Sequence, residues 1–167
     1  MKKQVFSLLI AAFVALSTSV GYAANWKWIE SDERFGFFVD TDTIHYELYP
    51  GFGNEPRKID TSKVSFWLKT YITPEAANAM AEALNNHQLR DVSYIISYNT
   101  ISFTDKTMTK NDATVYGNNN YAIPTSDHGE KRTYTITPDT SGEMIFLFIK
   151  SYAKEHSAEL ARNAYGL

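Results

Sequence analysis

Four histidines, His45, His87, His128 and His156, are the side chains best suited to hold a transition metal. No two of them stand three or four residues apart, the spacing that places paired ligands on one helix face. Cysteine is absent, which removes thiolate metal sites, a cysteine nucleophile and disulfides together. No metal site and no cofactor is therefore expected. Asp40-Thr41-Asp42-Thr43 begins like a calcium loop, in which alternating carboxylates line a cation. The places where such a loop needs a glycine and a closing glutamate hold His45 and Gly51, so both aspartates read as strand-end and turn residues. Ser126-Asp127-His128 contains the three residue types of a hydrolase triad, but chain neighbours do not reach nucleophile, base and orienter geometry among themselves. A G-x-S-x-G elbow, a phosphate-cradling glycine loop and H-E-x-x-H are all missing, and no catalytic residue is assigned. Arg57, Lys58 and Lys63 form a small basic cluster that a solvated loop explains, with a docking site for an acidic partner as the alternative.

These residues sit in a chain that opens as an export signal. Lys2 and Lys3 precede the apolar run Val5 to Leu16, and Ser17 to Ala23 is a small-residue segment that places cleavage before Ala24. Residues 1–23 are thus expected to be a signal peptide, and residues 24–167 a single domain outside the cytoplasm, periplasmic or secreted to the cell surface. A spanning helix needs about 20 apolar residues, and Ser17-Thr18-Ser19 interrupts this run too early. The formal charge of −3 becomes more negative once two lysines leave, so nothing in it favours nucleic acid or an anionic membrane surface.

Along the mature chain, Trp26 to Glu30 and Phe35 to Asp40 flank the polar turn Ser31 to Arg34 and predict a hairpin. A short turn is expected at Ile44 to Tyr46 and a loop over residues 49–58. Lys63 to Ile72 is the clearest strand: Val64, Phe66, Leu68 and Ile72 share one face, Trp67, Tyr71 and the Lys69 stem the other. With apolar matter on both faces it reads as central, and the aromatic face is expected to be mainly core, Trp67 covered. Thr73-Pro74 opens a helix that continues to Leu84. Further strands are expected over residues 91–103, 107–109, 113–116 and 132–137, with a loop from Asn118 to Lys131. Thr140-Ser141-Gly142-Glu143 has capping-box form and starts a last helix, whose Ile145, Phe148, Ile149 and Tyr152 share a face. The order predicts an α+β fold: one antiparallel β-sheet with one inserted helix and a C-terminal helix packed on it.

Trp26-Lys27-Trp28-Ile29, Gly36-Phe37-Phe38-Val39-Asp40-Thr41, Lys63 to Lys69 and Ile136-Thr137-Pro138-Asp139-Thr140-Ser141, in this order, resemble the bacterial surface-adhesin family typified by protein E. The resemblance spans most of the mature domain. It implies an extracytoplasmic, non-enzymatic α+β domain, compatible with a homodimer, that binds an envelope or host macromolecule. That family is also associated with haem binding, for which no residue here is matched. Its members commonly carry cysteines and lipid anchors, and this chain has no cysteine to bear one. The leading expectation is an exported binding domain. The runner-up is a periplasmic carrier of a small, planar, haem-like ligand held between aromatic walls, and an exported hydrolase using dispersed carboxylates comes third.

Overall fold

The structure is a computed structural model and describes residues 24–51, 56–125 and 130–166. The expected signal peptide, residues 1–23, and the Ser126-Asp127-His128 run lie outside the described residues.

The organising element is a 15-residue strand, Lys58–Ile72. In chain order the strands are β1 (Trp26–Ser31), β2 (Phe35–Asp40), β3 (His45–Tyr49), β4 (Lys58–Ile72), β5 (Val92–Ser102), β6 (Thr107–Gly117), β7 (Ala122–Ile123) and β8 (Arg132–Thr135). They form one antiparallel sheet in the order β1-β2-β4-β5-β6-β7, with β3 also on β4 and β8 also on β6. β2 pairs with β4 from Leu68 to Ile72, and β3 with β4 from Lys58 to Ser65. Between them the chain makes one 3-10 turn, Thr41–Thr43, capped by the Asp40 carboxylate. Thr43 Oγ1 accepts the Trp67 amide at 3.2 Å and donates to the Asp40 carbonyl at 2.8 Å, so the turn covers the backbone gap that the interrupted strand leaves. The aspartates read as strand-end and turn residues occupy those places.

The inserted helix α1 (Pro74–Ala83) follows β4 directly, with Thr73 capping the Ala76 amide and Pro74 in its first turn. The C-terminal segment is two helices, α2 (Ser141–Glu155) and α3 (Ser157–Ala164), where the sequence predicted one. The break has a buried cause: Tyr46, 6 % exposed, donates its hydroxyl to the Ala153 carbonyl at 3.2 Å, one turn before α3 begins. At the start of α2 the box is half formed. Thr140 Oγ1 accepts the Glu143 amide, while the Glu143 carboxylate accepts the Asp139 amide at 2.9 Å instead of that of Thr140, with Asp139 turned to φ 59°.

All three helices pack on one face of the sheet. Val64, Phe66, Leu68 and Ile101 meet Ile145, Phe146 and Ile149 of α2 and Leu160 of α3. Ile72, Val92 and Val115 meet Ala76, Ala77 and Ala81 of α1. From Val64 onward the even-numbered positions of β4 therefore build the core, as the two-residue period requires. The sequence reading missed β3, β7 and the first five residues of β4, and divided β6 in two; β6 is continuous past a bulge opposite Tyr98 and Asn99. Phe66 is fully buried at the centre, so Phe66→Ala is expected to cost about 3–5 kcal/mol in urea unfolding. Leu84→Ala, at a site 65 % exposed, should stay within about 0.5 kcal/mol.

Candidate functional site

From Lys63 onward the odd-numbered positions of β4 point to the opposite face, and among the described residues no helix covers it. One half of this face is aromatic. Cross-strand pairing sets Phe38, Lys69 and Ile96 in one row, and Tyr71, Tyr94 and Tyr116 in the next. Phe38 meets Tyr71 edge-on at 5.5 Å, Tyr71 lies 5.9 Å from Tyr94, and Tyr94 stacks on Tyr116 at 4.9 Å. Lys69 rises between the rings, its ammonium 4.3 Å from the Tyr94 centroid and 4.6 Å from that of Tyr71. Gly36, opposite Tyr71, keeps this row open.

Trp67 was expected to be covered; it is 36 % exposed, and Tyr71 43 % and Trp28 56 % stand further out. The correction follows from helix placement. Both helical segments return to the same face, so the aromatics of the second face are left as surface.

Tyr98 marks the border with a polar half. Its ring lies 5.3 Å from Trp67 and stacks near His45, and its hydroxyl donates to His45 Nε2 at 3.3 Å while His45 Nδ1 donates to the Thr43 carbonyl. Beyond it four strands contribute one directed chain of hydrogen bonds. Asn111 Nδ2 donates to Thr100 Oγ1 at 2.8 Å, Thr100 to Ser65 Oγ at 2.7 Å, and Ser65 to the Glu47 carboxylate. The direction is fixed at both ends, because an amide nitrogen only donates and a carboxylate only accepts. This chain forms part of an open cleft of about 590 Å³ whose lining includes Glu47, Tyr49, Asp60, Lys63, Tyr98, Asp105 and Lys131.

The cleft's carboxylates are committed to structural bonds. Asp105 accepts from the Ser102 hydroxyl at 2.8 Å. Burial alone would raise the Asp60 carboxyl, but the Ser62 hydroxyl and amide, Tyr49 and Lys63 outweigh it and hold it below its ordinary value. That is the wrong direction for a proton donor in glycoside hydrolysis. Burial, reinforced by the Glu47 charge, raises the Tyr98 phenol above its ordinary value despite the opposing influence of the nearby Ser65 hydroxyl, so Tyr98 stays neutral and serves as a hydrogen-bond donor.

The described histidines do not converge, and His128 lies outside the described residues. His45 belongs to the open face, His156 stacks on Tyr152 at 4.2 Å and pairs with Glu159, and His87 begins a 3-10 turn. Among the described residues no three His, Asp or Glu side chains are grouped to hold a metal ion. Lys63 reaches Asp60 at 3.8 Å, and Arg57 gives its carbonyl to the Tyr165 hydroxyl, so the basic cluster is dispersed. Sequence reasoning placed Trp67, Lys69 and Tyr71 on this face but missed Tyr94, Tyr98, Tyr116 and the polar chain. Their signal was present in the alternation of Ser65, Trp67, Lys69 and Tyr71, which mixes aromatics with polar groups where the core face is aliphatic and aromatic except for Thr70.

No protein-family model matches the chain, and no curated protein matches it in sequence. Among solved structures it is similar to protein E from non-typeable Haemophilus influenzae, with 14 % identity and a TM-score of 0.42 over 83 % of this chain and 88 % of that one. A likeness at that level assigns no family and carries no function across.

The Asp60 shift has a defined pH signature. Because its folded value lies below the unfolded one, its stabilisation is fully present above about pH 4 and is lost as pH falls through the folded value. Asp60→Asn is therefore expected to flatten the acid limb of the urea-midpoint profile between about pH 5 and about pH 2, leaving its slope near neutrality unchanged.

Proposed function

We propose that this chain is an exported, non-catalytic binding domain that docks an envelope or host macromolecule on the open face of its sheet. The observation that carries the reading is the set Trp28, Trp67 and Tyr71, exposed beside Tyr94, Tyr98 and Tyr116 on a face that no described helix covers. Exposed aromatics in a contiguous group are unusual on a monomer's surface and are the residue types that anchor macromolecular contacts. The conformational cost of Trp67 and Tyr71 on binding is small, since each of these rings is already held by a neighbour. The polar half supplies hydrogen-bonding groups at the rim, the arrangement that specific interfaces use.

The reading is supported over a small-ligand carrier by shape. A planar ligand needs facing aromatic walls, whereas these rings lie side by side along one surface. It is supported over a hydrolase by the lowered Asp60 carboxyl and by the engagement of Glu47 and Asp105 in structural bonds.

The test is capture from envelope and host-matrix extracts by residues 24–167, with the captured partner identified, purified and titrated back. The double variant Trp67→Ala, Tyr71→Ala is expected to weaken that titration at least about tenfold, with unchanged thermal unfolding. Equal affinity of the double variant would overturn the assignment of this face. Light scattering distinguishes a second copy of the chain, which would appear as a dimer lost in the same variant.

A further inference from the structure

The helix-covered face of the sheet is not closed. Between α1 and the start of α2 lies a groove of about 430 Å³, floored by β2, β4, β5 and β6. A second hollow of about 350 Å³ adjoins it along α1 and shares Met80, Ile95 and Lys110 with it. The combined space is in the range of small-molecule sites, about 300–1,000 Å³.

Two properties of this groove specify a ligand class. Its walls are apolar, from Met80 on one side to Ile145 on the other, and its polar floor is partly engaged within itself. Asn99, 2 % exposed, donates its side-chain amide to the Ser97 carbonyl and hydroxyl at 3.0 and 2.8 Å. Among the described residues, the one charged side chain lining either hollow is Lys110. Lys110 is half-buried and has no carboxylate or hydrogen-bond partner for its ammonium among the described residues. Its cross-strand neighbour Arg132 is paired with Glu130, so that carboxylate is already engaged. The first turn of α2, Ser141 and Gly142, also lines the groove and brings the amide-rich end of a 15-residue helix to it. The protein is acidic as a whole, yet this apolar hollow carries only positive charge.

An ammonium with no counter-charge among the described residues, beside an apolar channel, selects a molecule that is anionic at one end and apolar along its length. We propose that the groove binds a single-chain anionic amphiphile, with its carboxylate or phosphate head on Lys110 and its hydrocarbon tail between α1 and α2. This site is on the face opposite the aromatic surface and does not depend on the function proposed for that surface.

The experiment is isothermal titration of residues 24–167 with dodecanoate and with dodecyl phosphate, each below its micelle concentration, beside butyrate and dodecyltrimethylammonium. Saturable one-to-one binding of at least one of the two long-chain anions is expected, and which head binds tighter identifies the head group. Butyrate should bind far more weakly for lack of a tail. Lys110→Gln is expected to weaken the anion about ten- to hundredfold, and Lys110→Arg to restore most of it. Lys110→Glu should reverse the preference in favour of dodecyltrimethylammonium, a switch that structural damage would not produce. Absence of saturable binding by both anions, or equal binding by the wild type and Lys110→Gln, would overturn the proposal.

Discussion

The alternation of side chains along β4 is the constraint on which the rest of the molecule depends. Its partners are fixed on both sides, β2 and β3 on one edge and β5 on the other, so a one-residue slip would exchange Phe66 with Trp67 and put lysine into the core. Val64, Phe66, Leu68 and Ile72 have no exposed alternative compatible with a buried face, and the register is held by that burial. Once the even positions are committed to the helices, the odd positions are committed to the other surface.

That second surface is kept presentable by its own chemistry. Lys69 places a charge among the rings, which keeps the aromatic group hydrated while its stem covers part of their faces. Next to it, the chain from Asn111 through Thr100 and Ser65 to Glu47 satisfies the polar groups of four strands without a helix above them. The face is thus stable while open, which a surface that waits for a partner must be.

Much of this was legible in the sequence, and the failures are local. The β1-β2 hairpin, the Thr73-Pro74 helix start and the core side of β4 were readable because turn chemistry and period two or 3.6 act over a few residues. β3 was not, since Ile44-His45-Tyr46 follows a turn and its strand is made only by pairing with the first half of β4. The split between α2 and α3 was hidden because its cause, the Tyr46 hydroxyl on Ala153, is a contact across 107 residues. The exposure of Trp67 was misjudged for a related reason: sequence shows that a face is aromatic, but only the arrangement of helices decides whether anything covers it.

The same arrangement explains why the covered face keeps a groove. α1 is tied to the end of β4 by Thr73 and packs over Ile72, Val92, Val115 and Ile123, whereas α2 and α3 arrive from β8 and settle over Val64, Phe66 and Leu68. The buried residues accordingly form two clusters, and Thr70, Ser97 and Asn99 occupy the floor of the space that the helices leave between them. An apolar gap of this kind costs packing energy unless something fills it. Larger side chains at Ser97 or Thr70 would close it from the floor, so small polar residues there preserve the space. Lys110, set at its edge without a counter-charge among the described residues, then gives the space a chemical preference that a mere packing defect would lack.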